Sequence, residues 1–281
     1  MSETLDTLPP LRDVINAHGL RADKALGQNF LLDQNITNKI ARHADAAVGG
    51  LAGKHVIEIG PGPGGLTRSL LRSDAQSVTA IEFDPRAIDA LSGLQEAAKG
   101  RLSLIEGDAM KLDIKSLTPA PRVIVANLPY NIATPLLLGW LKDIYDNPTN
   151  FDGFILMFQK EVAQRIVASV SDKPYGRLAV MSNWLCETKK LFDLSPSAFT
   201  PPPKVTSSVV MLRPKMLQED EKPSFKAVET ITAAAFGQRR KMIRSSLKDY
   251  AETIDALGLD PQLRAENLDV VSYIKLAKLF T

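Results

Sequence analysis

The chain has 281 residues, 44% of them hydrophobic, and a formal net charge of +2 at pH 7. That length suits one large domain with a smaller one beside it, and the near-neutral charge means that any basic surface for nucleic acid must be local. The single cysteine, Cys186, excludes an intramolecular disulfide, and no apolar run approaches the ~20 residues needed to cross a membrane. Because the amino terminus is acidic and polar, unlike a signal peptide, a cytoplasmic protein is expected.

The chain opens with two predicted helices, a short one over residues 11–19 and an amphipathic one over residues 35–47. Between them, Gln28-Asn29-Phe30 is polar and then aromatic, with no periodicity that would place it in an element. This segment is either a helix-entry turn or a lid that lies across a cofactor. The sequence leaves both interpretations open.

A strand, a glycine loop and a helix start are predicted over residues 56–67, whose sequence is VIEIGPGPGGLT. Gly60, Gly62 and Gly65 have the spacing of a dinucleotide-binding fingerprint, which also requires an acidic residue about 20 positions further on. Glu82, at the end of the next apolar run, occupies that place and would accept the hydroxyls of a ribose. The stretch therefore predicts an adenosine-containing cofactor, with a purely structural glycine turn as the alternative.

Two features of the glycine loop favour S-adenosylmethionine over a dinucleotide. Glu58 lies at the mouth of the strand, where a carboxylate repels a pyrophosphate but suits a cofactor that carries an ammonium and a cationic sulfur. Pro61 and Pro63 remove two N–H donors that a phosphate would use. A solvated carboxylate at a strand end is the alternative for Glu58.

Strands and helices alternate after the glycine loop, which predicts an α/β protein with a doubly wound, Rossmann-like parallel sheet. One strand ends at Glu82, and two more end at Asp108 and Asn127. In such a sheet, ligands bind beyond the carboxyl ends of the strands. Gly60, Glu82, Asp108 and Asn127 all fall there, so together they predict one site.

The second half of the chain continues this pattern and then changes it. Further strands are predicted over residues 153–158 and 178–184, with a helix over 160–169 between them and a late edge strand over 207–212. The polar run over 215–223 is the best candidate for a domain boundary, because the pattern beyond it is helical to the end.

The stretch Asn127-Leu128-Pro129-Tyr130 suggests chemistry on an adenine, and Pro129 stiffens its turn. The amine of an adenine is a poor nucleophile, because its lone pair is delocalised into the ring. Two acceptors for its N–H groups, the Asn127 side-chain oxygen and a backbone carbonyl of Leu128 or Pro129, would favour a pyramidal nitrogen. Tyr130 would stack on the base, which is worth about 1–3 kcal/mol. The alternative is a tight strand-to-helix turn with a core tyrosine.

A second aromatic residue, Phe199, precedes the proline run over residues 201–203. Polyproline stiffness would hold its ring in a defined pose, and a flipped base needs both faces covered. Phe199 is therefore predicted to stack opposite Tyr130. The alternative is a proline-rich linker whose phenylalanine packs on the core.

Together these stretches resemble the KsgA family, the small-subunit ribosomal RNA adenine dimethyltransferases. The glycine loop is shared by many enzymes, whereas the stretches around Tyr130 and Phe199 are specific to adenine amino methylation. The resemblance is collinear over nearly the whole chain and is carried by residues 26–31, 58–65, 81–82, 107–109, 127–131, 158–162, 175–178, 199–205 and 236–241.

The resemblance implies a reaction and a partner. The family transfers methyl groups from S-adenosylmethionine twice to each of two adjacent adenosines near the 3′ end of small-subunit ribosomal RNA, late in subunit biogenesis. The expected partner is therefore the RNA of the assembling 30S particle, with no membrane, no metal site and a monomeric protein. Residues 1–213 would form the methyltransferase domain, and residues 214–281 a helical domain that binds RNA or the ribosome.

The resemblance also implies which residues hold the cofactor. Asn29 and Leu31 would close over it, and Gly60 would line its methionine end. Glu82 would bind its ribose. Asp108 would bind the adenine amine, and Asn127 would link the cofactor to the target.

Residues 237–248 carry five basic side chains and no acid: Arg239, Arg240, Lys241, Arg244 and Lys248. On a helix, Arg240, Arg244 and Lys248 would share one face and form a compact patch for RNA phosphates. The alternative is a solvated helix face, and the resemblance favours RNA contact.

Three functional hypotheses follow. The favoured one is an RNA adenine N6-dimethyltransferase that acts on ribosomes. A dinucleotide-dependent oxidoreductase is disfavoured by Glu58 and the loop prolines, and a non-catalytic RNA-binding or assembly factor on the same fold is disfavoured by the intact Asn127 and Tyr130. A large-subunit adenine methyltransferase would share the motifs, and only the resemblance favours the small subunit.

Overall fold

The computed structural model of the protein describes residues 3–20, 28–218 and 222–279. Its strands, in chain order, are β1 Phe30–Leu31, β2 His55–Ile59, β3 Ser77–Glu82, β4 Leu102–Glu106, β5 Arg122–Asn127, β6 Gly153–Gln159, β7 Cys186–Leu194, β8 Phe199–Thr200 and β9 Ser207–Pro214. Its helices are α1 Glu3–Asp6, α2 Leu11–Ala17, α3 Gln34–Ala47, α4 Gly65–Arg72, α5 Pro85–Ala90, α6 Ser92–Ala97, α7 Tyr130–Asp146, α8 Lys160–Val167, α9 Arg177–Leu185, α10 Phe225–Gly237, α11 Ile243–Ser246, α12 Ala251–Ala256 and α13 Val270–Leu279.

A seven-stranded sheet forms the centre of the molecule, in the order β4-β3-β2-β5-β6-β9-β7. The strands from β4 to β6 pair in parallel, and β9 pairs antiparallel with both β6 and β7. The predicted α/β, doubly wound fold is therefore confirmed. Chain order reverses between β2 and β5, and ligands bind at such a switch point in open α/β sheets.

Apolar side chains on both faces of the parallel strands explain why those strands are hydrophobic almost throughout. Val56 and Val123 point into a cluster that includes the side chains of α3 and α4. Their neighbours Ile57 and Ile124 point into the cluster on the opposite face, with α7 and α9. The sheet is thus buried between two helical layers, and its functional surface is left to the strand ends.

The helices after Pro214 pack against α9, on one side of this sheet. Val228 and Ile231 of α10 and Tyr273 of α13 belong to the same buried cluster as Ile124. Every element in this part that the structure describes is helical, as the pattern predicted. The division into domains at residue 214 stays a proposal, because these helices share the core of the sheet.

Two strand predictions were wrong. Residues 178–184 lie in helix α9, where Ala179, Val180, Met181 and Ser182 are all buried in succession. An apolar run that is covered on every side has no periodicity to distinguish helix from strand. Strand β9 is internal, and the edge strand is the charged β7, whose exposed polar side chains suit an edge.

A separate two-stranded pairing lies above the glycine loop. Strand β1 pairs antiparallel with β8, with Leu31 opposite Phe199 and Phe30 opposite Thr200. Asp33 then caps α3 by accepting a hydrogen bond from the Asn35 amide at 2.8 Å. Within the described ranges, no helix has the length and apolarity needed to span a membrane.

Replacement of Gly65 by alanine should lower the free energy of unfolding by about 1–3 kcal/mol, because a Cβ there would lie 2.3 Å from the carbonyl oxygen of Leu31. Gly93, within α6, has no heavy atom within 4 Å of its would-be Cβ. The matched Gly93→Ala change should leave stability unchanged or raise it by up to about 1 kcal/mol. Urea unfolding measures both, and equal stabilities of the two variants would contradict the close approach of Leu31 to α4.

Candidate functional site

A cavity of about 250 Å³ lies at the carboxyl ends of β2, β3, β4 and β5, at the switch point of the sheet. Its walls are the glycine loop, the residues that follow each strand and the segment 28–31. The sequence-predicted cofactor residues all line it: Asn29, Leu31, Gly60, Glu82, Asp108 and Asn127. The segment 28–31 covers the glycine loop, which is the lid-like placement that the sequence left open. Leu26 and Gly27, which also carry the resemblance, lie outside the described residues.

At Gly62 and Gly65 the glycine loop leaves no room for a side chain beneath that segment. Gly62 has φ +53°, and a Cβ there would lie 3.0 Å from the ring of Phe30. Gly60 has φ +67°, and its Cβ would meet the Pro129 ring at 3.6 Å. Both positions require a left-handed backbone that L side chains rarely adopt, so glycine is needed at both for conformation, and at Gly62 for packing as well.

Glu82 is 6% exposed and is held by backbone amides. Its Oε1 accepts hydrogen bonds from the amides of Phe83 at 2.8 Å and Asp84 at 2.9 Å, and its Oε2 accepts one from Gly62 at 3.1 Å. Burial raises the pKa of Glu82, and these three amides oppose that rise. Among the described contacts, Oε1 already accepts two hydrogen bonds and Oε2 accepts one, so Oε2 can accept one more. A ribose hydroxyl would therefore bind to Oε2, and not one hydroxyl to each carboxylate oxygen.

Glu58 is the other buried carboxyl group of the cavity, and it is 1% exposed. Among the residues that the structure describes, none forms a hydrogen bond with its Oε2. The pKa of Glu58 is raised to about 8, mainly by burial; the Thr67 hydroxyl opposes this rise and the Glu82 carboxylate adds to it. An unpartnered buried carboxyl oxygen beside a cavity is suited to a ligand that brings a positive charge or an N–H donor.

Asn127 bridges the strand end and the covering segment. Its Nδ2 donates a hydrogen bond to the backbone carbonyl of Asn29 at 3.1 Å. This bond sets the orientation of the amide, so the acceptor Oδ1 is the atom left for a ligand. The Pro129 carbonyl accepts the amides of Ile132 and Ala133 in the first turn of α7, which makes Leu128 the better candidate for the second acceptor.

Tyr130 is the first residue of α7 and lines the cavity. Its hydroxyl lies 2.6 Å from the Oγ of Ser207, which is fully buried at the start of β9. Burial raises the pKa of Tyr130, so the hydroxyl keeps its proton for this hydrogen bond. Sequence reasoning missed Ser207, although it lies just beyond the stretch 199–205 that carried the resemblance.

Two remaining predicted residues differ in their surroundings. Asp108 lines the cavity, and its Oδ1 accepts the Met110 amide at 2.9 Å. The structure corrects the prediction that Phe199 stacks on the base. This residue is 3% exposed, packs in the buried cluster with Leu31 and does not line the cavity. Pairing of β8 with β1 directs this ring into the core, which was the alternative reading of the proline-rich stretch.

The basic stretch does not form one helical face. Helix α10 ends at Gly237, α11 covers only Ile243–Ser246, and Lys248 begins a 3₁₀ turn that ends at Tyr250. The prediction of an i, i+4 face was therefore wrong, because the helix breaks inside it. All five basic residues are nevertheless exposed, and Arg239 forms an ion pair with Glu266 at 2.7 Å.

None of the three histidines lines the cavity. The Nδ1 atoms of His18 and His55 lie 2.8 Å from Asp89 and Ser77, and the ring of His43 packs against Phe192. The cavity therefore offers carboxyl groups, an amide oxygen and an aromatic ring, and it lacks an imidazole base.

Comparison with known proteins gives consistent matches over the chain. A family model described as ribosomal RNA adenine dimethylase matches residues 19–281. A protein of Rhodopseudomonas palustris strain TIE-1, named ribosomal RNA small subunit methyltransferase A, is 55% identical over 97% of this chain and 94% of its own length. The protein of the same name from Xanthobacter autotrophicus is 54% identical over 98% of this chain and 95% of its own length.

Two solved structures share the fold. A dimethyladenosine transferase from Plasmodium falciparum has a TM-score of 0.65 and 26% identity, and the match covers 95% of this chain and 93% of that one. The 23S rRNA methyltransferase ErmE has a TM-score of 0.65 and 24% identity, with 88% of this chain and 98% of that one covered.

Replacement of Glu58 by glutamine should stabilise the empty protein at alkaline pH. Between the ordinary pKa of 4.5 and the folded value of about 8, the folded protein keeps a proton that the unfolded chain releases, so stability falls as pH rises through this window. Glutamine removes that loss, so the gain should be near zero at pH 4.5 and on the order of 2–4 kcal/mol at pH 9. Chemical unfolding at both pH values measures it. The control Glu96→Gln, at an exposed residue of α6, should change stability by less than about 0.5 kcal/mol throughout, and a pH-independent Glu58→Gln effect would refute the burial argument.

The changes Tyr130→Phe and Ser207→Ala should not be additive, because both remove the same hydrogen bond. Each should lower the free energy of unfolding by about 0.5–1.5 kcal/mol, and the double variant should lose little more than one of them. Ser208→Ala, which removes a bond to Asp193 instead, should add to Tyr130→Phe within about 0.5 kcal/mol. Additive losses for the first pair would show that the two hydroxyls are not coupled.

Proposed function

The chain belongs to the ribosomal RNA adenine dimethylase family, and from that premise we propose which of its residues carry the reaction and which RNA it modifies. It is a methyltransferase that uses S-adenosylmethionine and acts on small-subunit ribosomal RNA. The substrate atoms are the N6 amines of two adjacent adenosines near the 3′ end of that RNA, each methylated twice. The protein acts as a monomer on late assembling small subunits in the cytoplasm. Residues 127–131 resemble the corresponding stretch of the adenine dimethyltransferases, which supports an adenine amine as the group that is methylated.

The residues of the cavity fit this cofactor. The unpartnered Oε2 of Glu58 would receive the ammonium at the methionine end, beside the backbone of Gly60. The free position on Oε2 of Glu82 would accept a ribose hydroxyl, and Asp108 would accept the adenine amine. Asn29 and Leu31 would cover it. The bound cofactor supplies a methyl group on a cationic sulfur.

The orientation of Asn127 carries the chemical proposal. Because its Nδ2 is engaged by the Asn29 carbonyl, its Oδ1 can accept an N–H of the target amine. The Leu128 carbonyl would accept the second N–H, so the nitrogen becomes pyramidal and its lone pair is available for attack. The methylated ammonium is a strong acid that releases its proton to water, so no side chain is needed as a base. This agrees with the absence of histidine from the cavity lining.

Tyr130 would hold the adenine by stacking, and the bond to Ser207 would keep its ring at one angle. Phe199 is too deeply buried to cover the opposite face of the base in this conformation. Its contribution would be indirect, through the backbone pairing that holds Leu31 over the cavity.

Contact with RNA is proposed for the exposed basic residues after α10: Arg239, Arg240, Lys241, Arg244 and Lys248. They lie on a turn and two short helical segments, so they would contact phosphates as a cluster and not as a helix face. All five side chains are exposed and positively charged, which supports contact with phosphates.

The proposed function is tested by methyl transfer from labelled S-adenosylmethionine to unmethylated small subunits, large subunits and free RNA, with the modified nucleoside identified. We expect N6,N6-dimethyladenosine at two adjacent positions near the 3′ end of the small-subunit RNA. Label in another nucleoside, or only in large subunits, would overturn the proposal.

Asn127→Ala should reduce turnover by about 10²–10³-fold, because it removes an acceptor that acts on the target amine. Affinity for S-adenosylmethionine, measured by calorimetry, should fall much less. As the control, a variant with His18, His43 and His55 all replaced by glutamine should retain most of its turnover if it stays folded. A folded triple variant that binds cofactor and RNA but transfers no methyl group would show that the reaction needs a base.

A further inference from the structure

The segment 28–31, which covers the cofactor cavity, is held at several points along its length. The Asn29 carbonyl accepts a hydrogen bond from Asn127, and the Leu31 carbonyl oxygen lies against the start of α4. These contacts are made by backbone atoms of the segment, and Asn127 belongs to the proposed reaction. Gln28, at the other end of the segment, makes a contact of a different kind, because its side chain reaches the turn between β3 and α5.

The Nε2 of Gln28 donates a hydrogen bond to the Oδ2 of Asp84 at 3.3 Å, which joins residues 56 positions apart. Asp84 is the N-cap of α5, where its Oδ1 accepts the amide of Arg86 at 3.0 Å. The guanidinium of Arg86 takes one further position on each oxygen, with Nε 3.0 Å from Oδ1 and Nη2 2.7 Å from Oδ2. Because a carboxylate offers about four acceptor positions, Gln28 fills the last of them.

Asp84 is suited to be an anchor because it is buried, charged and fixed in place. It is 4% exposed, and its pKa is lowered, first by the hydrogen bond from Arg86 and also by the one from Gln28, although burial opposes this. It therefore accepts the Gln28 amide as a carboxylate at neutral pH, and hydrogen bonds to a charged acceptor are stronger than those between neutral groups. Asp84 does not line the cavity, so any effect on a cofactor there is indirect.

The same residue also orients the carboxylate that is proposed to bind the ribose. The backbone amide of Asp84 donates a hydrogen bond to the Oε1 of Glu82 at 2.9 Å, while its side chain accepts the one from Gln28. Gln28 and Glu82 both line the cavity. Two hydrogen bonds through Asp84 thus connect the proposed ribose site to the segment that covers it.

We propose that Gln28 and Asp84 form a latch, which holds the segment 28–31 closed over bound S-adenosylmethionine and sets how fast the cofactor dissociates. Both are positioning residues, because they act through the segment and neither is assigned a contact with a reacting atom. This rests on the proposed function, which places the cofactor beneath this segment. A cofactor covered in this way leaves when the segment lifts, and each contact that holds the segment makes lifting rarer.

The rate of cofactor exchange matters in a reaction that methylates each adenosine twice. Every transfer leaves the demethylated cofactor, S-adenosylhomocysteine, in the cavity, and the next transfer needs a new S-adenosylmethionine. The segment therefore has to open between the two methylations of one adenosine. A latch that is weak enough to open and strong enough to retain the cofactor during one transfer meets both requirements.

The test is a double-mutant cycle on cofactor release. Full-length protein is loaded with labelled S-adenosylmethionine, and loss of the label is timed after addition of an excess of unlabelled cofactor. Gln28→Ala should speed release about three- to tenfold, because it removes the donor. Asp84→Asn keeps an N-cap for α5 but removes the charge, and it should speed release about two- to fivefold. Since both act on one hydrogen bond, the double variant should release at most about twofold faster than Gln28→Ala.

Two further variants identify the cause. Gln28→Met keeps the length of the side chain and lacks the donor, so it should release the cofactor as fast as Gln28→Ala. Both variants leave Asp84 with its Arg86 partner, so the test stands even if Asp84→Asn does not fold. The matched control is Gln164→Ala, at an exposed residue of α8 that does not line the cavity, and it should change the release rate less than about twofold.

An unchanged release rate in Gln28→Ala would overturn the proposal, and so would a wild-type rate in Gln28→Met, since packing would then hold the segment. Additive effects of Gln28→Ala and Asp84→Asn would also overturn it, because the two residues would then act separately, Gln28 on the cofactor and Asp84 through Glu82. The assay needs no RNA and no methyl transfer. A failure of the latch therefore leaves the methyl-transfer result standing, whereas a wild-type protein that binds no S-adenosylmethionine would refute the proposed function itself.

Discussion

The close approach of the segment 28–31 to the glycine loop is the contact on which the site depends. The Leu31 carbonyl oxygen lies 2.3 Å from where a Cβ of Gly65 would be, and the Asn29 carbonyl accepts a hydrogen bond from the side-chain amide of Asn127. The same segment is held from its other side by pairing with Phe199. Three distant parts of the chain therefore meet over one loop, and they can do so only because Gly62 and Gly65 carry no side chains. The glycines serve packing within the protein as much as the approach of a ligand.

The two buried carboxyl groups of the cavity, Glu58 and Glu82, differ in how many hydrogen bonds they accept. Glu82 accepts hydrogen bonds from three backbone amides, whereas the Oε2 of Glu58 has no partner among the described residues. Burial disfavours charge at both carboxyl groups; the three amides offset this cost at Glu82, but at Glu58 only the Thr67 hydroxyl does. A cationic ligand in the cavity would supply the partner that Glu58 lacks. This is a physical reason for the preference for a sulfonium cofactor that carries an ammonium.

Helix α7 joins the cofactor cavity to the carboxyl-terminal part of the chain. It begins at Tyr130, whose hydroxyl lies 2.6 Å from the Oγ of Ser207, and Thr134 and Leu138 further along it lie beside the end of α10. The carboxyl-terminal helices α10 and α13 pack against α9, on the same side of the sheet as α7, so the basic residues 239–248 are held in a defined position relative to the cavity.

Local patterns in the sequence determined the parallel sheet, the glycine loop and the strand ends at which the cofactor residues gather. Each of these depends on the types and spacing of a few neighbouring residues. The tertiary structure decided the rest. Helix α9 is buried on all sides and has no readable period, and Phe199 turns inward because β8 pairs with β1. The bond between Tyr130 and Ser207 joins residues 77 positions apart. Contacts of that kind depend on which surfaces meet when the chain is packed, and no local spacing contains that information.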